Sequence, residues 1–362
     1  MLADARIAKP HDLERDLLDA RARALLVTRD LEGERLLGPK LPIVNPPLWE
    51  IGHVSWFQEY WCLRLRADGS RGESILPDAD ALYDSSAVAH DTRWDLPLPG
   101  LKATRDFGDA VLDRVRERLA REPENPDLRY FVRLATFHED MHAEAFHYTR
   151  QTLGYSEPDF EFHSGNNPNS EIEIEGGKFQ LGARPDDGFV FDNEKWAHEV
   201  RIAPFSIAKR PVSNAQFLAF VEAGGVAPRY WKKEGGAWLQ RRFDRWLPLI
   251  PEEPVRHVSW HEAQAYCRWA KRRLPTETEW ECASGRFEYG QVWEWTESTF
   301  APYPGFVVDP YKEYSEPWFG THKVLRGGSF ATPARLMRPS FRNFYTPERA
   351  DIFAGFRTCA LR

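Results

Sequence analysis

Cysteine is scarce in this chain. Cys62, Cys267, Cys282 and Cys359 are the only four in 362 residues, far apart and in no CxxC arrangement. That excludes a disulfide framework and a cysteine-rich zinc site, and it reads as reduced cytosolic thiols that mostly fill core. Long apolar runs are missing too: no stretch approaches the ~18 apolar residues of a membrane-spanning helix. The first residues, MLADARIAKPHDLERDLLDA, lack the apolar centre of a secretion signal. A cytoplasmic protein without membrane partners is therefore expected. Basic excess is absent as well. Lys and Arg number 48 against 55 Asp and Glu, a net charge of −7, which argues against nucleic-acid partners. No internal repeat or low-complexity tract interrupts the chain. Tryptophan is what abounds, 14 residues within 14% aromatics. Such a composition predicts aromatic-walled pockets and a loop-rich domain pinned by indoles.

With 42% apolar and 28% charged residues the chain can bury a sizeable core, and its length predicts two or three domains. The first part reads as helical. Over residues 11–31 an apolar stripe runs through Leu13, Leu17, Ala20, Ala24 and Val27 at helical spacing. Residues 48–66 follow Pro46-Pro47, a helix start, and residues 103–121 and 126–153 are again helical. Between them Gly69 to Leu101 has no clean periodicity, and a loop of that length is commonly functional. Four helices and one long loop predict a four-helix bundle over residues 1–160. A polar stretch at 156–171 reads as a linker. The second part, 165–362, reads as α+β and irregular. Strands are expected around 171–183, broken at Gly176-Gly177, and capped amphipathic helices over 211–225 and 259–273. The rest is rich in Gly, Pro and Trp, with little regular pattern.

His138 and His142 stand at i, i+4 in FHEDMHAE, so both imidazoles share one helical face. That is the spacing a metal needs from a single helix, and HEDMH also matches the HExxH of zinc proteases. His53, on the helix of WEIGHVSW, is the candidate third ligand, because two bundle helices can face each other. Three neutral imidazoles would leave coordination positions open for water, O2 or substrate. The same spacing fits an ordinary pair of surface or core histidines. Glu139 reads either as a general base or as an ion-pair partner, and His147 lies off the stripe. His11, His163, His198, His257, His261 and His322 show no partner pattern.

Two sets of segments carry a resemblance. NPPLWEIGHVSWFQEYW (45–61) with FHEDMHAE (137–144) is similar to the DinB-like helical domain of ergothioneine-type sulfoxide synthases. EGGKFQLGA (175–183), RPVSNAQF (210–217), RLPTETEWE (273–281), GQVWEWT (290–296), VLRGGSF (324–330) and AGFR (354–357) resemble their formylglycine-generating-enzyme-like domain, a C-type-lectin-like fold. The resemblance implies one non-heme Fe(II) held by His53, His138 and His142 in a cleft between the domains. It implies hercynine (trimethylhistidine) as a substrate, O2 as oxidant, and a bond formed between the imidazole C2 and the chalcogen of a donor. It implies hercynine contacts at Asn343 and Phe344, the latter an aromatic face for a trimethylammonium, and at Met141. Tyr303 matches a tyrosine that passes a proton or an electron to the activated oxygen, although YPG also fits a plain surface turn. Formylglycine-generating enzymes themselves carry a cysteine pair after RGGSF. Here Thr332 and Met337 stand near those places, so thiol chemistry of that type is excluded.

Three departures from the thiol-using synthases bear on the donor. Arg93 is present in the long loop, but His90 stands where a second arginine is expected for a carboxylate fork. Tyr345 replaces an aspartate that would face the donor's ammonium. Met141 replaces a glutamine that touches hercynine. Together they are most similar to the selenoneine synthase branch, whose donor is a selenosugar, with Arg93, His90 and Tyr345 as donor contacts. The alternative is an ergothioneine sulfoxide synthase that takes γ-glutamylcysteine or cysteine. From other classes come a lectin-like sugar-binding module with a vestigial metal site and an HExxH zinc hydrolase.

Overall fold

A computed structural model describes residues 10–66, 68–158 and 170–361. Residues 1–9, most of the linker and His163 lie outside the described residues. Two compact units form. One comprises residues up to Leu153 together with Pro185–Phe189, the other residues from Gly154 to Arg184 and from Val190 onward.

The first unit is built on helices α1 (Pro10–Thr28), α2 (Pro47–Cys62), α3 (Ala79–Tyr83), α4 (Leu101–Arg121) and α5 (Pro126–Leu153). The α1 stripe is buried at all five predicted positions. α1 packs on α5, and α2 packs on α4 and α5. α2 begins with Pro47 at its first turn, where a missing N–H costs nothing. It is buried nearly all round, with only Ile51 and Tyr60 outside the buried set. The long aperiodic segment is less bare than its sequence implies. It holds the five-residue α3 and a 3-10 turn at His90–Thr92, both too short to leave a periodic signature. Gly52 is required for α3 to close on α2: a Cβ there would stand 2.3 Å from the Tyr83 ring.

The second unit is a set of small sheets. β1 (Glu171–Ile174), β2 (Gly177–Leu181), β3 (His198–Ile202) and β4 (Phe205–Ala208) come first, followed by α6 (Asn214–Glu222). Next are β5 (Trp231–Glu234), β6 (Ala237–Arg242), β7 (Arg245–Pro248), α7 (Trp260–Trp269), β8 (Arg272–Arg273) and α8 (Glu277–Ala283). The chain ends through β9 (Trp293–Thr299), β10 (Lys323–Arg326), β11 (Asn343–Tyr345), β12 (Ala354–Gly355) and β13 (Cys359–Ala360). The sheets order as β1-β4-β13-β8, β11-β10-β9-β12, β2-β3 and β5-β6-β7. Ser213 and Ser259 cap α6 and α7 through reciprocal capping boxes with Gln216 and Glu262.

Two elements correct the view that the later chain lacks pattern. α8 is capped by Thr276, whose Oγ1 accepts from the Glu279 N–H while the Glu279 carboxylate accepts from the Thr276 N–H. β5 and β6 pair across Gly235-Gly236, both in the left-handed region, which is what a two-residue hairpin turn needs. Polar groups also fill the interior. Arg326, Arg342 and Arg357 are at most 1% exposed. Glu277 accepts from Arg342 Nε and Nη2 at 2.8 and 3.0 Å and from Arg326 Nη2 at 2.8 Å. Glu294 accepts from Trp280 Nε1 at 2.8 Å and from Arg357 Nη2 at 2.7 Å. The expected pinning by indoles is visible again at Trp295, whose Nε1 donates to Val258 O at 2.8 Å.

Candidate metal centre

α5 presents His138 and His142 one turn apart, and α2 brings His53 against them. Their ligand atoms all lie within 4.8 Å of one another. Ring centroids are 5.0 Å apart for His53 with each of the other two and 4.4 Å for His138 with His142. The Nε2 atoms of His138 and His142 are 3.2 Å apart. Two imidazoles bound at right angles to one cation, each at ~2.1 Å, place their nitrogens ~3.0 Å apart. The orientation of two rings is fixed from outside. His53 Nδ1 is 2.8 Å from the Tyr83 carbonyl and His142 Nδ1 is 2.6 Å from Glu50 Oε1. A carbonyl and a carboxylate can only accept here, so each Nδ1 carries the proton and each Nε2 lone pair turns inward. His138 lies face to face with Phe57, centroids 3.7 Å apart and planes 7° apart, and His53 stacks on Trp49 at 4.8 Å. The donor set fits a divalent transition metal of imidazole preference.

Electrostatics favour the ligating form. Burial, reinforced by the charge of His142, holds His53 well below the ordinary imidazole range, and burial acts likewise on His138. The neutral imidazole is the form that binds metal. Glu139 is not poised as a base: its Oε1 receives Arg21 Nε at 2.6 Å, and the side chain is buried. His147, off the stripe, has Nδ1 2.8 Å from Ala143 O, and burial lowers it to about 4.

The other predicted site residues fall into two groups. In the first unit Met141 is half-buried on α5 beside His142. Arg93 is buried. Its Nη1 donates to Asn45 Oδ1 at 2.7 Å and its Nη2 to Val88 O at 3.2 Å, while the guanidinium lies 3.9 Å over the Trp49 ring. His90 Nε2 is 2.8 Å from Val44 O. In the second unit Asn343, Phe344 and Tyr345 form β11. Asn343 Oδ1 accepts from the Phe344 N–H at 2.9 Å, Phe344 stacks on Phe300 at 4.1 Å, and the Arg349 guanidinium lies 4.8 Å over the Tyr345 ring. Tyr303 is no surface turn residue. It is buried, its hydroxyl accepts from Arg326 Nη2 at 3.0 Å and donates to Glu277 Oε2 at 3.3 Å, and Arg342 lies 4.1 Å over its ring. Burial, with the charge of Glu277, pushes its phenol above the ordinary range.

The histidine spacing did not point to Glu50, Trp49 or the α3 segment. α3 and its flank hold three rings of α2 at once: Trp49 Nε1 donates to Leu82 O at 2.7 Å, Trp56 Nε1 to Asp80 Oδ1 at 2.6 Å, and His53 Nδ1 to Tyr83 O. One signal was available. Glu50 lies three residues before His53, so it shares that helical face, and an acid on the face of a ligand histidine is a natural outer partner.

Residues 16–146 match the DinB superfamily, and residues 157–290 and 288–361 match the sulfatase-modifying factor enzyme 1-like domain. Hercynine oxygenase of Mycolicibacterium thermoresistibile is 33% identical over 97% of this chain and 95% of its own length. Hercynine oxygenase of Mycobacterium tuberculosis is 31% identical over 97% and 99%. The formylglycine-generating enzyme of Streptomyces coelicolor is 28% identical over 52% of this chain and 88% of its own. A helical unit carrying three converging imidazoles, followed by this second domain, places the chain in the hercynine oxygenase family of ergothioneine-type sulfoxide synthases.

Proposed function

We infer that this chain is a non-heme Fe(II) enzyme that uses O2 to join the imidazole C2 of hercynine to the selenium of a selenosugar. The observation that carries the iron reading is the inward convergence of the His53, His138 and His142 nitrogens, in a chain of this family. Bound Fe(II) would supply O2 activation and the oxidation of the substrate ring. The chain's own share is placement. Tyr83 O and Glu50 fix two ring orientations, and Phe57 and Trp49 fix ring planes. Phe344 would offer an aromatic face to the trimethylammonium, Asn343 and Met141 further contacts to hercynine, and Tyr303 a proton.

The donor class is supported by the long loop. Both Arg93 terminal nitrogens already donate to acceptors of the first unit, and His90 is tied to Val44 O. With His90 in place of a second arginine, one guanidinium stands where an acidic peptide would call for two. Tyr345, neutral and half-buried, suits a hydroxyl-rich donor better than an ammonium. A zinc hydrolase is disfavoured by the buried Arg21–Glu139 ion pair, which engages one oxygen of the carboxylate that would serve as its base. The test is anaerobic Fe(II) loading followed by mass spectrometry of products from hercynine with a selenosugar, a thiosugar and γ-glutamylcysteine in competition. The selenium adduct should dominate. A faster thiol product would move the chain to the sulfoxide synthase reading, and no hercynine product at all would remove both.

A further inference from the structure

Glu50 is 1% exposed in a helix that is buried nearly all round. A carboxylate taken so far from water is costly unless a donor meets it. Its donor is His142 Nδ1 at 2.6 Å, a short, charge-assisted contact from another helix. Two readings fit that contact. A plain tie between α2 and α5 would make Glu50 part of the fold alone. The geometry around it favours more. His142 is one of three rings whose ligand atoms converge, and its Nε2 lies 3.2 Å from that of His138. The outer partners of the rings are also unequal: His53 Nδ1 meets a neutral carbonyl, Tyr83 O, whereas His142 Nδ1 meets a full negative charge. An anion on the far nitrogen raises the electron density of the near one and offsets part of the charge of a divalent cation.

We propose that Glu50 is a positioning residue of the metal centre: it locks the His142 ring with Nε2 inward and makes His142 the strongest donor of the three. The proposal rests on the three-histidine metal reading above and adds to it a specific inequality among the ligands. It also explains why an acid stands on the His53 face of α2. Trp49 and His53, on either side of it in that helix, both donate to backbone carbonyls of α3, while Glu50 reaches α5 instead.

The probe is Co(II), which reports its ligand field in the visible range. The full chain, its Glu50→Gln variant and its Glu50→Ala variant are loaded with Co(II), and affinity is read by competition with a chromophoric chelator. Both variants should bind about 10–100-fold more weakly and show displaced d–d bands, as lost outer-shell partners do. Glu50→Gln keeps the shape and an acceptor but not the charge, so it should lose less than Glu50→Ala. A Glu50→Gln protein with the parent's affinity and bands would reduce Glu50 to a helix tie and overturn the proposal. A measurement on the unaltered protein covers variants that do not fold. Its Co(II) form should show a hyperfine-shifted, slowly exchanging Nδ1–H for His142, and rapid exchange of that proton overturns the proposal too. If the unaltered chain takes up neither Co(II) nor Fe(II), the metal reading itself fails. Uptake with unequal variants and uptake with equal ones separate the two claims.

Discussion

The two units bury polar side chains for different ends. In the first, regular helices carry imidazoles inward and leave their Nε2 atoms facing each other; each of two rings is held by one acceptor on its far side. In the second, short strands and loops surround guanidiniums paired with carboxylates: Glu277 receives both Arg326 and Arg342, and Tyr303 is drawn into the same cluster. Matched charges close on themselves and specify a fold whose strands are too short to do so. Three ring nitrogens turned towards one point are not matched by any carboxylate or carbonyl there among the described residues. They call for a cation, and the contrast separates a site from a scaffold although both are buried and polar.

The sharpest way to break this contrast is to remove one inward ring. His53→Ala should abolish iron retention and turnover, a loss beyond the ~100-fold that a missing outer partner costs, while circular dichroism keeps the parent's helical signal. Metal content by elemental analysis decides it. Unchanged iron content would show that the rings do not act as ligands.

The next effect falls on the scaffold. Glu277→Ala strands two buried guanidiniums, and such a break costs about 3–5 kcal/mol. Burial by itself would push Glu277 up, yet Arg342 and Arg326 hold it below the usual carboxylate range. Chemical denaturation should show the loss. A variant within about 1 kcal/mol of the parent would mean the network is looser than its distances.

The smallest effect sharpens the comparison through pH. Burial lowers His147 in the first unit to about 4 and His257 in the second to about 3. The unfolded chain takes a proton at each near pH 6.5, whereas the folded chain does not. Stability is therefore complete above 6.5 and falls as pH drops from there towards the folded values. Each residue should account for about 2 kcal/mol between pH 6.5 and 5. His147→Gln should flatten the pH dependence by that amount; an unchanged slope would show that the ring is protonated in place.

The helices of the first unit were legible because amphipathic periodicity is a local signal, and α1, α2, α4 and α5 lie close to the segments read for them. His138 and His142 were legible as a pair for the same reason. The second unit was legible where a cap or an alternation speaks locally: the capped helices of 211–225 and 259–273 and the strands around 171–183 were read, whereas the Thr276–Glu279 box and the Gly235-Gly236 hairpin went unread. Tyr303 shows the limit most plainly. Its YPG context is that of a turn, and nothing nearby in sequence announces that Arg326, Arg342 and Glu277 would enclose it.

Composition and spacing by themselves determined that the chain has a helical first part, an irregular tryptophan-rich second part, and two imidazoles on one helix face. They could do so because periodicity, caps and charge balance act over a few residues. Tertiary structure alone decided that His53 from α2 meets the α5 pair, that a backbone carbonyl and Glu50 take the outer nitrogens of His53 and His142, and that Arg93 donates to Asn45 and Val88. Those outcomes depend on the angle and depth at which helices far apart in sequence pack, a property no local window contains.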